Sequence, residues 1–270
     1  MPTAVYTPPP DKSITLRALL LAAVAEGRTT IKNPLLCGDT SAALACLAAL
    51  GVKYSLRKNK ITLEGRGLRG LAPRRALNAG ASGTLCRLLA GILAGQAFPS
   101  VLNGSGSLRG RPMDRVARPL GLMGAKIKTR RGRLPLAIKP SPLKGIDYCL
   151  PVASAQVKSA LLLAGLYAEG RTIIKEPSPS RDHTERLLEY FGAGLTRRGR
   201  VITLKPGSLK GRGLCVPGDI SSAAPFLAAA LLCGRGLLIK DTGLNPTRLG
   251  LVRVLKRMGA RIKLTVKRRF

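Results

Sequence analysis

Tryptophan is absent from this 270-residue chain, aromatic residues amount to 3%, and histidine occurs once, at His183. With so few rings the core has to be built of Leu, Ala, Val and Ile, packed as helix on sheet. Stacking platforms for nucleic-acid bases are correspondingly few. Acidic residues are scarce too: 13 Asp and Glu stand against 46 Lys and Arg, a formal net charge of +33. Such an excess attracts polyanions, from nucleic acid to phosphorylated metabolites. The basic residues are spread along the whole chain, which equally suits solvated helix faces and hairpin turns. The six cysteines (Cys37, Cys46, Cys86, Cys149, Cys215 and Cys233) form no CxxC pair. Clustered metal ligands are therefore lacking, and lone thiols suit a reducing cytoplasm. The N-terminus has no charged-then-apolar leader pattern, and an apolar run such as Ala18 to Ala25 is far too short to span a bilayer. What is plentiful is hydrophobic residues, 45% of the chain, enough at this length for a globular core of one large or two ordinary domains.

Internal repetition dominates the pattern. Four small-polar starts lead into apolar helices: "DKSITLRALLLAAVAEG", "ASGTLCRLLAGILAG", "SAQVKSALLLAGLYAEG" and "ISSAAPFLAAALLCG". Their serines, Ser13, Ser82, Ser154 and Ser221, are 69, 72 and 67 residues apart. A β-branched run follows each ("RTTIK", "FPSVL", "RTIIK", "GLLIK"), then a second helix ending near Gly51, Gly124, Gly192 and Gly259. In three copies the next strand turns back through a basic hairpin, "RKNK", "TRRGR" and "TRRGR", into "ITLEG", "LPLAI" and "VITLK". Gly or Asn at such a turn supplies positive φ cheaply. The fourth copy predicts a strand at 262–266, and its "TVKRRF" aligns with the turn "TRRGR" without a returning strand. That pattern leads to the expectation of a cut within the fourth unit, with an unpaired sheet edge.

The helix starts are the candidate sites. "PPPDKSITLR" feeds a proline-stiffened segment into a helix that Asp11 or Ser13 can cap. Lys12 stands at its mouth, and Arg17 lies one turn beyond Ser13 on the same face. Free backbone N–H groups, the helix dipole and two cations make an anion cradle. "LNAGASGTLCRLL" repeats the theme, with Gly80 and Gly83 allowing close approach to the backbone and Arg87 on the first turns. "ASAQVKSALLLAG" offers Ser154, Gln156 and Lys158, of which Ser and Gln can hydrogen-bond the hydroxyls of a sugar-like or cyclitol ligand. Arg109, Arg111 and Arg181 precede second helices, and an Arg fork suits carboxylate or phosphate. His183 reads as a capping or packing residue. The carboxylates are scattered, several at cap positions, so these residues argue for binding a small polyanion without revealing a reaction.

In family order along nearly the whole chain, the stretches "DKSITLRALLLAAVAEG", "GASGTLCRLLAG", "GRPMDRVARPLGLMGAKI", "LPVASAQVKSALLLAGLYAEG", "PSPSRDHTERLLEYFGA", "VPGDISSAAPFLAAALL" and "GLNPTRLGLVRVLKRMGA" resemble the 5-enolpyruvylshikimate-3-phosphate synthases. The resemblance implies an α/β fold of repeated βαβαββ units forming an inverse α/β barrel domain, plus an incomplete second domain. Residues 12–217 would be the complete three-repeat domain, and residues 1–11 and 218–270 parts of the other, with later repeats absent. It also implies transfer of a carboxyvinyl group from phosphoenolpyruvate to the 5-hydroxyl of shikimate 3-phosphate, without metal or organic cofactor, in the cytoplasm. Carried over by motif, Lys12 would be the catalytic residue and would contact both substrates. Ser13, Arg17, Ser154, Ala155, Gln156 and Arg181 would bind shikimate 3-phosphate. Gly83 and Arg111 would bind phosphoenolpyruvate, where glyphosate would compete.

Departures accompany the resemblance. Pro10 replaces the usual Gly before "DKS", Leu16 the family's His, and Ala81 the Asn that commonly opens the glycine-rich loop. The family's acid-base Asp and Glu, two arginines and a lysine belong to later repeats and have no matching motif here. The expectation is therefore a chain inactive or severely impaired by itself: a truncated gene, an incomplete record, or a split protein whose complementary chain supplies the missing repeats. Two other readings stand beside it. UDP-N-acetylglucosamine 1-carboxyvinyltransferases share the fold, but they carry Lys-Asn where this chain has Lys12-Ser13, and a Cys where it has "GSGSLRG". A basic, non-catalytic repeat protein on nucleic acid would suit the charge but not the motif order.

Overall fold

The computed structural model describes residues 4–74 and 76–266. After a short strand β1 (Ala4–Tyr6) comes α1 (Lys12–Val24), β2 (Glu26–Lys32), α2 (Gly38–Ala49), β3 (Lys53–Arg57) and β4 (Lys60–Arg66). The second unit is β5 (Ala76–Asn78), α3 (Gly83–Ala94), β6 (Ser100–Asn103), α4 (Asp114–Leu122), β7 (Lys126–Arg130) and β8 (Arg133–Lys139). The third is β9 (Asp147–Cys149), α5 (Ala155–Gly165), β10 (Thr172–Lys175), α6 (His183–Tyr190), β11 (Leu195–Arg198) and β12 (Val201–Leu204). There follow β13 (Leu214–Cys215), α7 (Ile220–Leu232), β14 (Leu237–Ile239) and α8 (Gly250–Arg257).

Three four-stranded sheets result, ordered β13-β2-β4-β3, β5-β6-β8-β7 and β9-β10-β12-β11. Each has one parallel pair at its leading strand and antiparallel pairs elsewhere. Equivalent inward pairs sit at the centre of each: Ile31 opposite Ile61, Leu102 opposite Leu136, and Ile174 opposite Ile202. All six are buried, by the two-residue alternation that sends one face of a strand inward. The leading strand of the first sheet is β13, contributed from beyond the third unit. The chain therefore closes on itself.

The helices inside explain the composition. α1, α3 and α5 are buried on nearly every side, as helices that are apolar all round must be. With sheets outside and helices within, the architecture is an inverse α/β barrel. Prolines at 8 to 10 cannot continue α1 upstream, and Asp11, not Ser13, caps it by accepting from Ile14 N at 2.9 Å. α3 and α5 touch where Gly91 faces Ala160; a Cβ on Gly91 would lie 2.2 Å from the Ala160 carbonyl oxygen.

The remaining elements are differently placed. β1 pairs parallel with β14, and Tyr6 stacks on Phe226 with ring centroids 4.0 Å apart. α7 has the composition of an inner helix yet buries only Ala223, leaving Leu232 89% exposed. The strand expected at 262–266 is not formed: these residues join no strand among the described residues. The tip expected at "TVKRRF" reaches residues 267–270, outside the described part.

Candidate functional site

The N-termini of α1, α3 and α5 open on one face, and side chains link them there. Lys12 Nζ lies 3.0 Å from Asp39 Oδ2, and Ser82 Oγ donates to the same oxygen at 3.0 Å. Asp39, in the first turn of α2, therefore joins the mouths of α1 and α3. Arg87 Nη1 donates to Gln156 Oε1, and Gln156 Nε2 donates to Thr84 Oγ1 at 3.0 Å, joining α3 to α5. A cavity of about 420 Å³ opens between Pro10, Lys12, Cys37, Asp39, Asp219 and Ser222.

Gly83 begins α3 in front of two guanidinium groups. A Cβ there would lie 3.1 Å from Arg87 Nη1 and 3.2 Å from Arg111 Nη1. Arg87 is buried, donates through Nη2 to the Pro112 carbonyl at 3.1 Å, and has no partner at Nε among the described residues. Burial lowers its pKa, reinforced by Arg115 and Arg111. Two cations, a helix N-terminus and a missing side chain form a cradle for an anionic group. The Gly83→Ala variant should weaken binding of a phosphate-bearing ligand about tenfold, since it narrows a charge-assisted contact worth about 1.5–3 kcal/mol. Thermal unfolding should shift little. Unchanged affinity by titration calorimetry would remove Gly83 from the site.

Arg17 lies in the wall of the mouth, 3% exposed. Its Nε donates to Thr184 Oγ1 at 2.7 Å, Nη2 to Ser159 Oγ at 3.2 Å, and Nη1 to the Ser13 carbonyl at 3.1 Å and to Ser13 Oγ. Desolvation lowers its pKa to about 10, opposed by Glu185 and Asp11; the group stays charged at neutral pH. Arg17 thus orients Ser13, in the first turn of α1. Ser154 caps α5 by accepting from Val157 N at 3.4 Å, and Ala155 follows with its carbonyl accepting from Ser159 Oγ. Arg181 stands at the surface within the fields of Arg248, Asp11 and Asp219.

Lys158, a candidate for the third mouth, is not at the opening. It is fully buried, with Nζ 2.9 Å from Glu176 Oε2 and 2.6 Å from Glu185 Oε1. The first turn of α5 rotates it inward, away from Ser154 and Gln156. Glu176 Oε1 also accepts from Ser180 Oγ, so the cluster holds the 176–181 segment against α5. Nothing in the local sequence marks Glu176 and Glu185 as its partners; they come from a loop and another helix.

His183 packs and bridges, as a cap-region residue should. Asn245 Nδ2 lies 3.2 Å from His183 Nδ1 and donates to Asp182 Oδ1 at 2.6 Å. Burial drops the His183 pKa to about 4, so the ring is neutral at pH 7 and Nδ1 accepts. Arg248 Nη2 donates to Asp219 Oδ1 at 2.7 Å and to Ser221 Oγ, and Nη1 lies 3.7 Å from Asp11 Oδ2. One arginine thereby ties the caps of α1 and α7. Among the described residues no group of three His, Cys, Asp or Glu can hold a metal ion.

The family model for EPSP synthase (3-phosphoshikimate 1-carboxyvinyltransferase) matches residues 3–269. The 3-phosphoshikimate 1-carboxyvinyltransferase of Acidithiobacillus ferrooxidans is 52% identical over 264 residues, 96% of this chain and 61% of its own length. That of Thermus thermophilus is 50% identical over 263 residues, 96% of this chain and 62% of its own. A solved structure of EPSP synthase from Acinetobacter baumannii superposes with a TM-score of 0.89 at 44% identity, covering 95% of this chain and 59% of that one. The chain thus spans about three fifths of the length of these relatives.

Proposed function

The chain belongs to the EPSP synthase family, and from that premise we propose that it serves the transfer of the carboxyvinyl group of phosphoenolpyruvate to the 5-hydroxyl of shikimate 3-phosphate. The C–O bond to the new hydroxyl oxygen forms, the enol phosphate C–O bond breaks, and inorganic phosphate leaves. The observation that carries this reading is the convergence of three helix mouths, with Lys12, Gln156 and the Arg87–Arg111 cradle on one linked face. Such a face can hold two anions side by side, offsetting their repulsion and the entropy of bringing them together.

In this reading Ser13, oriented by Arg17, meets the shikimate carboxylate. Ser154, Ala155 and Gln156 receive the 3-phosphate and ring hydroxyls, with Arg181 beside them. Gly83 and Arg111 receive phosphoenolpyruvate, and Lys12, half exposed, reaches both. The sister UDP-N-acetylglucosamine transferases are not favoured by any relative named above. Closure of the first sheet by β13 supports residues 12–217 as one folding unit, with 1–11 and 218–270 belonging to a second. The bare face of α7 supports further residues packing there, from a longer or a complementary chain. No helix among the described residues is long and apolar enough to cross a membrane; the unpaired cysteines support a reducing, cytoplasmic setting.

The carboxylates at the face are engaged: Asp39 with Lys12 and Ser82, Asp11 and Asp219 in caps and with Arg248. None of these three carboxylates is therefore disengaged to move the protons of the vinyl carbon and the hydroxyl. We expect the purified 270-residue chain to bind shikimate 3-phosphate weakly while releasing no phosphate above background from the two substrates together. Release dependent on both would show that the acid-base groups lie within this chain. Absence of any binding at millimolar ligand would remove the site assignment.

A further inference from the structure

The three basic hairpins end on the same face as the helix mouths, each tied to a segment that leads into the site. At the first tip, Asn59 Nδ2 donates to Asn33 Oδ1 and Asn33 N to the Asn59 carbonyl, while nearby Leu35 N donates to Thr15 Oγ1 on the first turns of α1. At the second, the Gly132 carbonyl accepts from Met113 N and Asp114 N, two residues beyond Arg111. At the third, Glu176 N donates to the Arg200 carbonyl, Arg200 Nη1 to the Pro177 carbonyl, and Arg197 Nη1 to Asp182 Oδ2 on either side of Arg181.

These tips carry Arg57, Lys58 and Lys60; Arg130, Arg131 and Arg133; and Arg197, Arg198 and Arg200, all exposed. The carboxylates beside them are few and paired: Asp114 with Arg118 at 3.6 Å, and Asp182 with Arg186 and Arg197. Lys58 and Arg131 occupy left-handed backbone, at φ 45° and 51°, where glycine or asparagine is the unstrained choice. Cations therefore stand at turn positions that local conformation does not favour for them.

We propose that these hairpin tips form a cationic rim that captures small phosphate-bearing anions and steers them into the mouth between α1, α3 and α5, an encounter surface that makes no contact with the bound ligand. The identity of the anion as shikimate 3-phosphate or phosphoenolpyruvate rests on the functional reading above; the rim itself does not. A ring of like charge around a low-dielectric opening raises association rates by about 10- to 1000-fold. The effect fades with salt, as the screening length is about 10 Å at 0.1 M.

The test uses Cys37, which lines the cavity beside the start of α1 together with Lys12 and Asp39, the residue that bridges to Ser82 at the start of α3, as a reporter in a chain whose exposed Cys149, Cys215 and Cys233 are replaced by serine. Its reaction rate with dianionic dithiobis(nitrobenzoate) is divided by that with neutral dipyridyl disulfide. The combined K58Q/R131Q/R198Q variant should lower this ratio about fivefold or more at low salt, within the range expected of steering. High salt should bring the parent down to the variant. An unchanged ratio would overturn the rim, whatever the chain binds. In a second arm, stopped-flow association of shikimate 3-phosphate should slow in the variant with dissociation unchanged. Binding at equal rates, or a change confined to dissociation, overturns the proposal. A parent that binds no shikimate 3-phosphate defeats the functional reading and leaves the Cys37 ratio to decide the rim. Protection of Cys37 by a single-stranded oligonucleotide at physiological salt would reassign the rim to nucleic acid and also overturn it.

Discussion

Replacing Lys158 with methionine should cost the fold about 3–5 kcal/mol at pH 8, because removing one member of a buried ion cluster leaves charge without a partner. Glu176 and Glu185 both face Nζ, and all three side chains are sealed from solvent. Burial raises the Glu185 pKa above its ordinary 4.5, while Lys158 pulls it back down. For an acid raised in the folded state, the native protein holds its proton more tightly than the unfolded chain. Ionisation then subtracts stability: the penalty is absent below pH 4.5, grows as pH rises from there to the folded value, and is complete above it. Without Lys158 the pull back is gone and the penalty at neutral pH is larger. The variant should therefore be least stable relative to the parent at pH 8 and recover part of the loss towards pH 5. Adding Glu185→Gln should restore part of it at pH 8. Urea unfolding at both pH values reads this out; a loss under about 1 kcal/mol, independent of pH, would place the cluster in the class of replaceable ion pairs. Since Ser180 donates to Glu176, the segment presenting Arg181 should loosen as well.

The second large effect is expected at Gly91. Alanine in the interior of an exposed helix is favoured over glycine by about 1 kcal/mol, so propensity alone predicts a gain. The would-be Cβ, however, lies 2.2 Å from the Ala160 carbonyl oxygen and 3.1 Å from the Ala160 Cα. Those are backbone atoms of another buried helix, which cannot swing aside as a side chain would. Overpacking of this kind costs about 1–3 kcal/mol, so the Gly91→Ala variant should be destabilised and Gly91→Leu more so. The Arg87–Gln156 hydrogen bond spans the same helix pair, and widening it should weaken anion binding as well as stability. Gly121→Ala on α4 is the control, for nothing lies within 4 Å of its added Cβ. There propensity acts unopposed and thermal unfolding should move upward. A rise at both positions would mean that α3 and α5 separate at no cost.

Much of the architecture was legible because it is local and repeated. The second helices α2, α4, α6 and α8, the hairpins and their returning strands β4, β8 and β12 sit where hydrophobic period and turn residues put them. The three-residue strands β5 and β9 and the two-residue β13 carry too few side chains to show a period, though the family resemblance implied leading strands. The segment at 262–266 has the alternation of a strand but no partner among the described residues, and a strand without a ladder is not one. For the site, the helix mouths were visible as capped starts with cations. Lys158 was misleading because a helix start read alone does not show that position 158 turns inward, where Glu176 and Glu185 meet it.

What sequence by itself determined is the repeat, the order of elements, the concentration of cations at helix starts and hairpin turns, and the family motifs. Elements and motifs depend on residues a few positions apart, and the repeat on the same local patterns recurring at steps of 69, 72 and 67 residues, so these relations hold before anything folds. Tertiary structure decided which groups meet. Asp39 joining Lys12 to Ser82, Arg87 joining Gln156, Arg248 tying Asp11 to Asp219, and Glu176 with Glu185 enclosing Lys158 all pair residues between 18 and 237 positions apart. Those partners are chosen by helix spacing and burial, which sort the same cations into a solvated mouth, a wall and a sealed ion cluster. The net charge does not distinguish these three fates, because a charge takes its energy from the dielectric and the partners around it.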